Sequence, residues 1–478
     1  KIGGAVGFNF NDESLNARNP FSLTRPPSQN RSVNYSFYGP IIKKKASFRV
    51  YGFSSDSYST ANIVAALPGG QVNETVKRDS SYSYLDGKVS YNLTKRHPLN
   101  IALRHNSNKS NNSGVGGINL PERASNYESR NNDLRISTSG LVGKKYLHEF
   151  RFRFIDEKNE TIPQNNETGI IVLDSFASGG AGTNQTSTRR LFSIAENIVF
   201  GVEKHTIKFG VLFEQETRDL RSANNQNGTF TFSSLADFTV NRPTTYTRRL
   251  DERTIDLTQQ QFGVYLQDDI RIHKSFMMNL GLRYEWQNNL SDKNNFSPRV
   301  GFSWSPQKRG KTVFRGGIGL YYNWLSTSNL STILSREADQ PRELIIINPG
   351  FPDPLSGGVN QERVESVWRR SETLRNPHVL SYSFGVSRRI GKTSYLRATY
   401  SFERGIYQFR SRDINAPFAN GIRPDPTLGR IVEIDSSAFY KRNGLTIGFN
   451  SRFLKKFSVF GNYRLAKRTS NADGAFSL

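Results

Sequence analysis

Met278-Asn279-Leu280-Gly281-Leu282-Arg283-Tyr284-Glu285-Trp286 alternates without a break. The even positions are Met, Leu, Leu, Tyr and Trp, and the odd ones are Asn, Gly, Arg and Glu. Successive side chains of a strand point to opposite faces, so this segment has one apolar face and one polar, charged face. The division recurs in Phe150, Phe152 and Phe154 against Arg151 and Arg153, and in Val300, Phe302 and Trp304 against Arg299, Gly301 and Ser303. It recurs again along Leu396, Ala398, Tyr400 and Phe402, and along Leu445, Ile447 and Phe449. Helical periodicity is nearly absent, which makes the chain all-β.

The connections decide between a soluble sandwich and a membrane barrel, because both alternate. One class is short and basic: Ile42–Lys45, Thr94–Pro98, Gly143–Tyr146, Val202–Lys204, His273–Ser275, Pro306–Lys311, Gly391–Thr393 and Leu454–Lys456. The other class is mostly long and polar, near 55–80, 107–131, 157–188, 217–256, 323–376 and 404–437. The two take turns along the chain, so every second hairpin is tight and the long loops gather at the opposite end. That asymmetry predicts a transmembrane antiparallel β-barrel of the outer-membrane type, with short periplasmic turns and long outer loops. The same rule gives about 17 strands, an odd count where single-chain bacterial barrels are usually even. An open edge in lipid leaves backbone groups unpaired, so residues 1–478 are expected to be an incomplete barrel whose last strands follow Leu478.

Composition removes other classes. There is no Cys, and six His are scattered, so thiolate metal sites and cysteine nucleophiles are excluded. No G-x-S-x-G element is present and no His pair has helical metal-ligand spacing; neither catalytic nor metal residues nor any cofactor are assigned. The net charge of +24 raises nucleic-acid binding as a possibility. Yet many Lys fall in the short turns and many Arg alternate with apolar residues, so a basic rim and a polar lumen account for it, without a nucleic-acid partner. No apolar run reaches the roughly 18–20 residues of a spanning helix.

Two positions strain the pattern. Asp268 falls on the face of Phe262, Val264, Leu266 and Ile270, which requires a bulge near Asp268–Asp269 or an apolar face that ends before it. Arg388 shares the face of Tyr382, Phe384 and Val386 beside a short turn, where a long side chain reaches the interface.

Several stretches resemble TonB-dependent receptors: Gln267-Asp268-Asp269, Asn279 to Glu285, Ser297-Pro298-Arg299-Val300-Gly301-Phe302 and Val313 to Tyr322. More narrowly, Leu15 to Phe21 with Tyr38-Gly39-Pro40-Ile41, Asn348-Pro349-Gly350-Phe351-Pro352, Asn415-Ala416-Pro417 and Arg423-Pro424 resemble the Oar-like subfamily. This resemblance implies a barrel of about 22 strands or more around a plug. It also implies plug and carboxypeptidase-regulatory-like domains before Lys1, and a TonB box that couples the plug to the energising TonB complex. The expected function is uptake of a scarce ligand (siderophore, peptide or oligosaccharide) through the plugged lumen of an outer-membrane receptor. The competing readings are a non-transporting adhesion or secretion-assisting barrel, and a passive porin.

Arg151, Arg153, Arg283, Arg299 and Arg315, with Glu285, face the lumen on this reading. They form either a track for an anionic ligand or a set of mutual and plug-directed ion pairs. Trp324 and Trp368, in a long loop, are candidates for the outer ligand surface. Tyr284, Trp286, Trp304, Tyr400 and Phe402 are expected in the aromatic girdles against outer-membrane lipid. Gly316-Gly317-Ile318-Gly319 lies on a strand, so it is not a phosphate cradle; it lets the wall bend or lets the plug come close.

Overall fold

The computed structural model describes all residues except 18–24, 144, 308–309, 336–341, 365–366, 427, 454–456, 473 and 475–478. Arg18 to Phe21 of the opening motif, and the turn 454–456, therefore lie outside the described residues. The alternating segments form one 18-stranded sheet. Seventeen of its strands, from Gly3–Asp12 to Phe457–Ser470, pair antiparallel with the next in chain order. The other, Val367–Arg370, adds in parallel to the outer end of Ile431–Phe453. Gly3–Asp12 has Gln29–Ile42 as its neighbour and Phe457–Ser470 has Ile431–Phe453; among the described residues neither has a second.

Residues opposite one another in antiparallel strands share a face. Leu280, Val300, Ile318, Tyr382 and Phe402 form one such row across five strands. Leu282, Val300 and Ile318 are 50%, 47% and 50% exposed, so the apolar face looks outward. The inward row carries Asp86, Arg104, Asp133 and Ile155. An apolar exterior around a polar interior is the inverse of a soluble core and fits lipid outside. No helix among the described residues is long and apolar enough to cross a membrane.

The short connections that the described residues include fall at one end of the wall. The opposite end differs from expectation. Segment 55–80 is not a loop: Ala46–Leu67 and Gly70–Thr94 run through it as a long hairpin. His97–Ser113 and Ser125–Val142 likewise extend into 107–131. These upper ends are rich in Ser and Asn and lack apolar contrast, but ladder hydrogen bonds need only backbone. Side chains add to them, as where Ser55 donates to Asn30 at 2.8 Å.

Segments 157–188, 217–256 and 323–376 build a second, six-stranded sheet from Gly169–Val172, Phe176–Ser178, Thr229–Phe232, Thr245–Arg249, Arg342–Ile347 and Val359–Val364. Its core joins Val172, Phe176, Phe230, Phe232, Tyr246 and Ile346 to Ile63 and Ala65, on the lumen side of the tall hairpin. A second core packs Leu325, Leu330 and Ile333, around the helix Thr327–Leu334, against inward residues of the wall. Those residues are Ile255 and Leu257 on Arg253–His273, and Val432 and Ile434 on Ile431–Phe453. The outer segments thus fold inward from separate arcs of the wall.

The register of Arg253–His273 runs unbroken through Asp268 and shifts only between Ile270 and His273. No bulge resets Asp268. It lies near the short-turn end of its strand, where its carboxylate meets His205 Nδ1 at 2.6 Å.

Candidate functional site

The inner wall has two electrostatic halves. On the half built from the first strands, each arginine of the central ladder has an acid. Asp86 holds Arg49 at 2.9 Å and Arg104 at 3.1 Å. Asp133, with its side chain 5% exposed, holds Arg135 and Arg153. Glu216 accepts from Arg189 at 2.9 Å and also from Thr327 of the outer helix. Aromatic rings line the same side, with Tyr51 5.9 Å from Tyr84 and Phe53 5.9 Å from Tyr82.

The other half is smooth and basic. Gly281, Gly301, Gly317 and Gly385, with Ser303, Ser383 and Ser387, face inward from Phe276–Gln287, Asn295–Trp304, Thr312–Tyr322 and His378–Ile390. Arg299, Arg315 and Arg397 rise from this floor, and among the described residues none has a carboxylate within ion-pair distance. Arg299 lies 4.4 Å from the Tyr321 ring centre, and its buried Nε has no partner. Arg397 Nε donates only to Thr399, at 3.3 Å. The surrounding acids are already engaged: Glu285 by Arg283 at 2.7 Å, Asp269 by Lys208 at 2.6 Å and Glu403 by Arg442 at 3.2 Å.

The six inward candidates therefore separate. Arg153 and Arg283 with Glu285 are ion-paired, and Arg151 lies 3.8 Å from Glu149 on its own strand. Among the described residues Arg299 and Arg315 are not paired with acids. Arg397 was missed in the sequence, although it alternates with Leu396 and Ala398 as Arg315 does with Phe314 and Gly316. His97 and His148, scattered in sequence, come together near the short turns: their Nε2 atoms are 2.7 Å apart, and His148 Nδ1 lies 3.2 Å from Glu196.

Trp368 is 6% exposed and belongs to the second outer core, so its ring is used for packing rather than displayed. Trp324 is half-buried, with its indole Nε1 unpartnered. Of the girdle candidates, Trp286 and Tyr284 lie toward the outer end of their strand and Trp304 at the short-turn end of its own. Lys293 Nζ sits 4.9 Å from the Trp286 ring. Tyr284 packs on Phe296 at 4.9 Å, and Trp304 on Phe314 at 5.6 Å. Phe402 stacks on Tyr382 at 4.7 Å, and Tyr400 donates to Asn443 at 2.7 Å.

A continuous antiparallel wall with an apolar exterior and a charged interior is that of an outer-membrane barrel. The sequence matches the outer membrane beta barrel domain over residues 55–294 and 288–478, and the chain belongs to that family. It resides in the outer membrane of a Gram-negative bacterium. No curated protein matches the sequence. The fold is similar to that of the outer membrane transporter YddB from Escherichia coli, with a TM-score of 0.67 and 14% identity over 98% of this chain. It is also similar to the siderophore receptor PirA from Pseudomonas aeruginosa, at 0.57 and 13% over 98% of this chain and 68% of that one. The alcaligin outer membrane receptor FauA from Bordetella pertussis gives 0.53 and 11%, over 98% of this chain and 61% of its own. This chain spans 60% of the length of YddB.

Proposed function

We propose that the chain is the barrel wall of a TonB-dependent transporter of the Oar-like subfamily, importing a scarce ligand through a plugged lumen. On this reading a plug, a carboxypeptidase-regulatory-like domain and a TonB box precede Lys1, and further strands follow Leu478. The observation that carries it is the fit of almost the whole chain to barrels of proteins described as transporters and siderophore receptors, over 60% to 68% of their lengths. Among the described residues the first and the last strand each have one neighbour, which supports additional strands, because an unpaired edge in lipid costs several kcal/mol per backbone group. The outer segments folded over the lumen supply a surface where ligand is first met. The wall itself performs no chemistry: it spans the membrane, presents the loops and holds what moves inside it.

The test is the coding sequence on both sides of the chain, followed by pull-down of the full product with TonB. A plug-sized segment and TonB box before Lys1, with TonB retained on the protein, is the expected result. A signal peptide running directly into Ile2–Phe10 would leave no plug to energise. The porin or adhesin readings would then replace this one.

A further inference from the structure

We infer that the short-turn rim of the barrel is a docking surface for anionic phospholipid headgroups of the inner, periplasmic leaflet. It concerns the lipid side of the wall and stands whatever fills or crosses the lumen. Every short connection contains lysine, and Glu203 is the only acid in them. Lys44, Lys95, Lys145, Lys204, Lys274 and Lys392 are exposed, and among the described residues none has a carboxylate within ion-pair distance.

Next to these lysines the wall turns its apolar side to lipid. Val142, Tyr146, Val202 and Ile390 lie on the outward face by register and are 48% to 52% exposed. The basic row therefore follows the edge of the apolar belt from strand to strand, which is the course of a headgroup layer and not of a compact soluble partner. Arg388 stands on the outward face itself, opposite Leu396 and in line with Tyr382 and Phe384. It is exposed, and among the described residues its guanidinium has neither an ion pair nor a hydrogen bond. Close to the turn its side chain reaches the interface, where a phosphate matches its planar fork.

The acids of the outward face at this level do not neutralise the row. Glu196 faces His148 at 3.2 Å, and Asp268 faces His205 at 2.6 Å. The outer end of the same face is built differently. There Lys77 meets Asp79 at 2.8 Å, Lys109 meets Glu128 at 3.0 Å, and Lys158 meets Glu160 at 2.8 Å. One face thus carries compensated charge at its outer end and uncompensated positive charge at its periplasmic end, and a negatively charged leaflet is the complement of the second.

The experiment uses a tryptophan already in place. Trp304 faces lipid at the short-turn end, its neighbouring strands begin beside Lys274 and Lys311, and Arg388 stands on the strand beyond. A W286F background removes the lipid-facing indole toward the outer end. The protein is reconstituted into phosphatidylcholine vesicles containing phosphatidylglycerol, with bromine on the acyl chains of one lipid or the other, and quenching of Trp304 is compared. Brominated phosphatidylglycerol should quench at least about twofold more than brominated phosphatidylcholine, and the difference should shrink as salt rises. K274Q/K311Q/R388Q should abolish the preference with an unchanged β spectrum, while K109Q at the outer end keeps it. Equal quenching by the two lipids, or a preference that survives both high salt and the triple variant, overturns the inference. The rim would then be left to an acidic protein segment of the periplasm.

Discussion

Asp133 Oδ1 accepts from Arg135 Nε at 3.0 Å and from Arg153 Nε at 3.1 Å, so one buried carboxylate ties two neighbouring strands at the middle of the inner wall. Both arginines keep more than two-fifths of their side chains exposed to the lumen, whereas the acid keeps 5%. Replacing the acid therefore removes the buried member and leaves two cations facing each other.

Asp133→Asn should cost roughly 1–3 kcal/mol, a figure reduced from that of a fully buried pair because the arginines are hydrated. Urea titration of the folded barrel in detergent checks this, with R135Q as the milder comparison. A midpoint equal to wild type would show that the lumen screens the cluster completely.

A different coupling crosses three strands. Tyr265 lies over Gly210 and donates from its hydroxyl to Asn197 at 2.9 Å. A Cβ at Gly210 would come within 2.3 Å of that ring and 2.5 Å of the Asn197 oxygen. Gly210→Ala should cost about 1–2 kcal/mol, and Tyr265→Phe about 1 kcal/mol. Because both disturb one contact, the double variant should be less damaged than the sum. Strict additivity in the same titration would refute the coupling.

The outer sheet should open independently of the wall. Phe232 is fully buried, with Phe238 at 5.1 Å and Phe351 at 5.5 Å. Phe232→Ala removes about 3–5 kcal/mol of packing, enough to unfold a local unit while the long strands persist. Limited proteolysis should then cut within 229–249 without loss of the barrel's β spectrum. Unchanged protection there would mean the sheet does not depend on this cluster.

Acid should loosen the same region first at the short helix Leu235–Thr239. Arg242 and Ser234 donate to Asp237 and hold its carboxyl below the usual range. A depressed carboxylate contributes stability that is present above its unfolded value of about 4 and lost as pH falls through the lowered folded value. Amide exchange across 235–242 should be flat from pH 7 to about 5 and accelerate modestly below about 4, and Asp237→Asn should abolish that step. Equal acceleration in the variant would place the titrating group elsewhere.

The wall was legible because one period governs it: the alternation at 276–288 or 378–390 marks almost the whole of Phe276–Gln287 and His378–Ile390. Strand ends above the lipid were not, since segments such as 55–80 lose the apolar contrast that the period depends on. The outer sheet was hidden for another reason. Thr229-Phe230-Thr231-Phe232 alternates, but its partners are Gly169–Val172 and Thr245–Thr247, and four residues carry too little pattern to name a distant neighbour. Within the lumen the facing of Arg153, Arg283, Arg299 and Arg315 could be read from parity. Which of them met an acid could not, because that depends on the register between strands, as Asp133 beside Arg153 shows.

The strands are unequal, and this gives the rim a slope. Ala46–Leu67 and Gly70–Thr94 hold 22 and 25 residues, against 10 in Asn295–Trp304 and 11 in Thr312–Tyr322. At about 3.3 Å per residue, the tall arc stands some 40 Å or more farther along the strand direction than the low one. A molecule arriving from outside is thus shadowed on one side and admitted on the other. The low side is the arc that bears Arg299 and Arg315, so Arg299 stands four residues below the outer end of its strand, whereas Arg49 stands eighteen below the top of the tall hairpin.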